Sequence, residues 1–174
     1  SRWLSPGDWA IDVGANIGHY TKRFSDLVGP AGRVIAFEPV PATFELLTSN
    51  AAVFGIANVT LLNLAASDAT SVLGMSIPDF AVGLRNYYGA ALTQGAADLQ
   101  VMTCSIDSLH LTGPVRVIKI DAEGHDAVVV HGARALIAEQ RPTIIIESTS
   151  KEVEALVTGL GYRNETVPGS SNVI

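Results

Sequence analysis

Two groups of residues have the types and spacing to do chemistry. The first is Asp12-Val13-Gly14-Ala15-Asn16-Ile17-Gly18, with Glu38 standing 20 residues beyond Gly18. Glycines framing a short turn let backbone approach a ligand closely, and a helix behind the turn presents N–H groups at its start. A carboxylate closing the next strand can accept both hydroxyls of a ribose. The turn lacks the middle glycine of G-x-G-x-x-G, which disfavours a pyrophosphate. The second group is Lys119-Ile120-Asp121-Ala122-Glu123-Gly124-His125. It offers carboxylates and an imidazole that could take a proton from an acceptor hydroxyl. Asp121 ranks first by position, as base or as a contact to cofactor or acceptor. His125 follows because imidazole titrates near neutrality, and Glu123 is third. Lys119 reads as the ion-pair partner of a neighbouring carboxylate. Asp121, Glu123 and His125 could also meet a divalent cation, but no ligand geometry is fixed by their spacing and no metal is assigned.

These residues need elements that bring them to one place. Trp9–Val13 reads as a buried strand running into the glycine turn, and the helix after it carries Ile17, Tyr20, Phe24, Leu27 and Val28 near a 3.6-residue period until Gly29-Pro30 stops it. Arg33–Glu38 is a second strand. Pro41 opens a helix with Phe44, Leu47 and Phe54 on one face. Val59–Ala65 is a third strand, with Ser67-Asp68 just past it, placed to meet an adenine ring. Leu73, Met75 and Ile77 alternate as in an exposed-edge strand or hairpin. The stretch from Asp79 to Leu99 has no period and reads as a loop or lid in which Tyr87 and Tyr88 could wall an acceptor pocket. Gln100–Ile106 and Val115–Asp121 are strands. A helix from about Asp126 to Ala138, a strand at Thr143–Glu147 and a capping box at Thr149–Glu152 ahead of Val153, Leu156, Val157 and Leu160 follow. The tail from Tyr162 to Ile174 suits a hairpin. Strands separated by helices predict an α/β fold, doubly wound around a mostly parallel Rossmann-like sheet, with ligands at the carboxyl ends of the strands.

Composition narrows the classes. The chain has 174 residues, 48% of them hydrophobic, as buried parallel strands require, and it reads as one domain over 1–174. Apolar runs such as Thr143–Ile146 fall far short of a membrane span. The net charge is −6 with no Lys/Arg cluster, so a nucleic-acid partner is not expected. Small anionic ligands could still be held by backbone N–H groups. The single cysteine, Cys104, excludes an internal disulfide and fits a cytoplasmic setting. The start at Ser1 reads as a piece cut from a longer protein.

A nucleoside without a diphosphate describes S-adenosylmethionine. Asp12 could receive the cofactor's ammonium group while loop N–H groups receive its carboxylate. The segment Asp12–Gly18 resembles the first motif of class I methyltransferases. Ala36-Phe37-Glu38-Pro39 with Asn50, then Ala65-Ala66-Ser67-Asp68, Ser105-Ile106-Asp107-Ser108-Leu109 and Ile118–Asp126 resemble the FkbM methyltransferase family in order and spacing, from about Gly7 onward. Asp126 stands where Glu is more usual and Ile106 where Leu is, and the family's usual upstream segment reads as absent or truncated. The resemblance implies methyl transfer from S-adenosylmethionine to hydroxyls of sugars, glycans or polyketide-type products. It implies that Asp12, Gly14, Ala15, Asn16, Gly18, Glu38, Pro39, Ser67 and Asp68 hold the cofactor. Two other classes stay open: a nicotinamide-dependent oxidoreductase, and a non-catalytic module that keeps the fold as a scaffold.

Overall fold

The computed structural model describes residues 3–79, 89–147 and 150–165. Five strands form a wholly parallel sheet: β1 (Trp9–Val13), β2 (Arg33–Phe37), β3 (Val59–Leu62), β8 (Val115–Ile120) and β9 (Thr143–Ile146), in the order β3-β2-β1-β8-β9. Side-chain alternation divides each strand between two helical layers. Ala10, Val34, Val117 and Ile145 pack with Phe24 and Val28 of α1 (His19–Val28). Ala36 meets Leu47 of α2 (Pro41–Val53). Ile11, Val13, Ile118 and Ile146 face α3 (Asp126–Gly132), α4 (Arg134–Gln140) and α5 (Lys151–Gly159). Each large aliphatic side chain wholly removed from water there contributes about 1.5–3 kcal/mol. This is the doubly wound α/β arrangement expected of a Rossmann-like chain. The connections leave β1 toward β2 and β8 toward β9, so the order reverses between β1 and β8, which is where such sheets bind ligands.

Several elements differ from expectation for reasons that lie outside the local sequence. The third strand stops at Leu62. There Asn63 donates from Nδ2 to the carbonyls of Glu38 and Pro39, and the chain leaves the parallel sheet. Residues Ala65–Ser67 become β4 of a second sheet, ordered β4-β7-β5-β6, with β5 at Ser71–Ser76, β6 at Ala91–Thr93 and β7 at Leu99–Ser105. The alternating residues Leu73 and Met75 therefore sit on an interior strand of that sheet, flanked antiparallel by β6 and β7. Part of the expected Asp79–Leu99 loop is β6; Tyr87 and Tyr88 lie outside the described residues.

The single helix expected from Asp126 is two. Asp107, in a 3₁₀ turn at Asp107–Leu109, accepts from the amides of Ala135 (2.8 Å) and Leu136 (2.9 Å) and so starts α4 afresh from a distant carboxylate. Ser150, not Thr149, caps α5, accepting from the Val153 amide at 3.2 Å; Thr149 lies outside the described residues. Phe54 falls just past α2 and is exposed rather than packed with Leu47. Residues 162–165 carry no strand, and the remainder of the expected terminal hairpin lies outside the described residues.

Candidate functional site

The carboxyl ends of β1, β2 and β8 open onto a cleft whose far wall is the second sheet. Gly14, Asn16, Glu38 and Pro39 line one side and Asp121, Glu123 and His125 the other. Apolar groups from both sheets, among them Phe37, Val40, Ala66, Met75 and Leu92, close the rest. Sequence reasoning missed Val40, Ala66, Met75 and Leu92 as cleft residues. Alternation in Leu73-Met75-Ile77 signalled a strand but not the sheet it would join.

The glycine turn is built tightly. Gly14 has φ +71, and a Cβ there would collide with the carbonyl oxygen of Asp121, so only glycine lets the ends of β1 and β8 meet. The amides of Gly14 and Ala15 both donate to the Phe37 carbonyl, at 3.1 and 2.9 Å. The Asn16 amide donates to Glu38 Oε2 (2.9 Å), the Ile17 amide to Asn16 Oδ1 (2.8 Å) and the Gly18 amide to the Ala15 carbonyl (2.9 Å). All five amides are engaged within the protein. In this structure they shape the turn, because β1 and β2 run side by side and put the Phe37 carbonyl within their reach. Ala15 is buried, and Gly18 starts α1 in the left-handed region, clear of Leu47.

Glu38 faces the cleft. Its Oε1 accepts from the Val40 amide and its Oε2 from the Asn16 amide, each at 2.9 Å. One lone-pair direction on each oxygen remains for a ligand hydroxyl. Burial pushes its pKa up, and the two amides oppose that shift.

Asp12 does not line the cleft. Alternation turns it toward α1, where Oδ2 accepts from the Thr21 hydroxyl at 2.6 Å and Oδ1 has no hydrogen-bond partner. Desolvation raises its pKa, against the pull of Lys119 and the Thr21 contacts. Lys119 is buried above it, 3.9 Å from Asp12 Oδ1. The ammonium donates to Asp121 Oδ2 (3.0 Å) and the Gly14 carbonyl (3.2 Å), and stands 5.2 Å over the Tyr20 ring. The expected ion pair is thus a buried cation joining two carboxylates and the glycine turn. Nothing in the sequence marked Thr21 as its accessory, since that contact crosses from strand to helix.

Ser67 and Asp68 also lie apart from the cleft lining, where Ala65 and Ala66 stand instead. Because β4 left the parallel sheet, Ser67 is buried against α3, with Oγ 3.0 Å from His125 Nε2, while Asp68 is exposed. His125 is half-buried; desolvation lowers its pKa from the ordinary 6.5, opposed by Asp68 and Asp126. Glu123 has φ +48, and its pKa is raised by burial, then by Asp121, Glu147 and Asp126. Asp126 is buried and accepts from the Ala122 amide at 3.1 Å, holding the Asp121–His125 turn. Among the described residues no group of three or more His, Cys, Asp or Glu is arranged to hold a metal ion. No helix among them is long and apolar enough to cross a membrane.

The donor set suits one kind of ligand. Among the described residues lining the cleft there is no Lys or Arg, and the turn's amides are taken, so nothing there would hold a diphosphate. Carboxylates from β2 and β8 beside apolar walls fit a nucleoside that carries positive charge.

Comparison with known proteins agrees with that geometry. The model of the methyltransferase FkbM domain matches residues 12–163. A 48-residue segment is 50% identical to the 31-O-demethyl-FK506 methyltransferase FkbM of Streptomyces tacrolimicus, covering 28% of this chain and 18% of that protein. Another, also of 48 residues, is 40% identical to a protein-L-isoaspartate O-methyltransferase of Triticum aestivum, covering 28% of this chain and 21% of that one. The crystal structure of methyltransferase FkbM from Methylobacillus flagellatus KT superposes with a TM-score of 0.63 at 18% identity, over 87% of this chain and 36% of that one. An rRNA methylase from Streptococcus thermophilus superposes at 0.53 with 11% identity, over 99% and 86%. These structural likenesses carry the fold alone, and the chain spans well under half the length of the FkbM proteins it matches. With the family match running from the buried Asp12 through every residue of the cleft, this chain belongs to the FkbM methyltransferase family, whose cofactor is S-adenosylmethionine.

Proposed function

We propose that the domain transfers a methyl group from S-adenosylmethionine to a hydroxyl of a small-molecule or glycan acceptor. One observation carries it: a buried glutamate at the end of β2 faces the cleft at the sheet's switch point, pre-set by two backbone amides to receive a ribose. Gly14, Asn16, Glu38 and Pro39 would hold the cofactor. Asp12, Ala15 and Gly18 would support the turn from beneath, Asp12 through Lys119. When bound, the cofactor supplies a methyl group already activated on a positively charged sulfur. The protein's part is to align the acceptor, exclude water and take the acceptor's proton.

His125 fits the base best. Burial keeps the imidazole neutral near pH 7, so it is ready to accept a proton. Asp121 has Oδ2 fixed by Lys119, which suits a carboxylate that positions the acceptor or the cationic end of the cofactor. Glu123, exposed on the turn, is placed at the entrance. One relative is named for methylation of 31-O-demethyl-FK506, which supports a hydroxyl acceptor; the other is named for O-methylation of protein L-isoaspartate, where the oxygen is a carboxylate's. The acidic rim and a net charge of −6 favour a neutral or cationic acceptor over a nucleic acid. A dinucleotide-dependent oxidoreductase is not favoured, because the turn has no amide left for a pyrophosphate.

Calorimetric titration of the chain with S-adenosylmethionine tests the first step, with NAD as control; no heat at millimolar cofactor would sink the proposal. Methyl transfer from labelled cofactor to a panel of hydroxylated sugars, glycans and polyketides then tests the second. Cofactor binding with no transfer to any of them would favour the non-catalytic scaffold instead.

A further inference from the structure

We infer that Ser67 and Asp68 are positioning residues that lock the His125 ring in the tautomer whose Nδ1 is free to accept a proton. This rests on His125 acting as the base, yet it concerns a property of the resting protein that can be read without turnover.

His125 stands immediately before α3 and lines the cleft. Its Nε2 lies 3.0 Å from Ser67 Oγ, and that oxygen lies 3.4 Å from Asp68 Oδ1. Ser67 is 3% exposed, so its hydroxyl chooses among protein partners and not bulk water. A hydroxyl has one hydrogen, and an ionised carboxylate can only accept. The longer contact is weak as a hydrogen bond, but the charge on Asp68 still directs the Ser67 hydrogen toward it. Ser67 Oγ is then left with lone pairs facing Nε2, and Nε2 must carry the ring's hydrogen. Nδ1 is left with its lone pair, and the neutral ring is a base at that atom alone. The opposite arrangement, with Ser67 donating to Nε2, would put the hydrogen on Nδ1 and silence it.

The order of the three groups matters. Here serine stands between carboxylate and imidazole, the reverse of a nucleophilic triad, in which the histidine is central. Ser67 is buried and outside the cleft lining, so it cannot attack a substrate; its role is orientation. The contact is held by backbone. A Cβ on Gly132 would collide with the Ser67 carbonyl oxygen, so α3 rests directly on the end of β4 and carries His125 to Ser67.

The test is the ¹⁵N spectrum of the histidine rings in the uniformly labelled full chain at neutral pH. His125→Gln assigns the signal among the four histidines. The expected result is a single Nε2–H tautomer in the native chain, kept in Ser67→Thr and lost to a mixture in Ser67→Ala. In Asp68→Asn, whose exposed side chain makes misfolding no concern, the Nδ1–H form should rise several-fold and the ring should titrate lower. An Nδ1–H ring in the native chain, or a tautomer ratio unmoved by both Ser67→Ala and Asp68→Asn, would overturn the inference. If the tautomer is as stated but His125→Gln transfers methyl at the native rate, the base assignment fails while the lock stands.

Discussion

At the scale of single residues, two groups make opposite demands on charge. Lys119 is a buried cation held between Asp12 and Asp121 and bonded to the turn's backbone. Removing one partner of such a group leaves the other charges uncompensated, at a cost of about 3–5 kcal/mol. Lys119→Met should therefore lower the free energy of unfolding, measured by denaturant titration, by that much. Adding Asp12→Asn should recover part of the loss, because the two changes share one network. Equal and additive losses would show that the cation merely fills space. His125 demands neutrality. Its pKa is lowered by burial, so the free base still predominates at pH 6.5 and is lost only as pH falls through that lowered pKa. Transfer rates should be flat at neutral pH and decline through a midpoint below 6.5. Glu123, pushed upward by burial and then by its acidic neighbours, adds a second acid limb if it takes part, and Glu123→Gln separates the two. A midpoint above 6.5 that survives Glu123→Gln would remove His125 from the reaction.

At the scale of elements, the site depends on α3 seating against β4 through Gly132. Gly132→Ala sets a methyl against the Ser67 carbonyl oxygen, and a backbone atom cannot step aside as a side-chain tip can. About 1–3 kcal/mol of destabilisation is expected, by thermal melting, as for other overpacked contacts. Gly159→Ala, which meets nothing within reach, should be close to neutral. If both substitutions behave alike, the helix is not seated as described. The same contact explains what could be read from the sequence and what could not. The parallel strands, α1, and the glycine turn with Glu38 carry their cause in local pattern: apolar runs, a 3.6-residue period, glycines framing a turn. The break after Leu62, the second sheet and the restart at α4 have non-local causes in Asn63 and in Asp107, each bonded to backbone far along the chain. For that reason motif and position bring Asp121, Glu123 and His125 to the cleft lining, while Ser67, with Asp68 beside it, lies outside that lining next to the histidine.

At the scale of the whole molecule, the sheet's two halves join only where β1 meets β8, and a ligand lying across that junction should fasten them together. Anything that binds the folded chain alone stabilises it by RT ln(1 + [L]/Kd), about 2.7 kcal/mol at one hundred times Kd. For a chain of this size each kcal/mol is worth about 2–4 °C, so S-adenosylmethionine at that level should raise Tm by about 5–10 °C. Glu38→Ala removes the carboxylate that would accept the ribose hydroxyls. Losing hydrogen bonds to a charged group worth about 3 kcal/mol weakens binding roughly 150-fold. At the same cofactor concentration the stabilisation then shrinks to about 0.3 kcal/mol, a shift near 1 °C relative to the variant's own unliganded midpoint. NAD should give no shift with either chain, since the turn offers a diphosphate no free amide. A full shift retained by Glu38→Ala would mean that the cofactor is held elsewhere than at the end of β2. The switch between β1 and β8 would then be a feature of the fold without being its binding site.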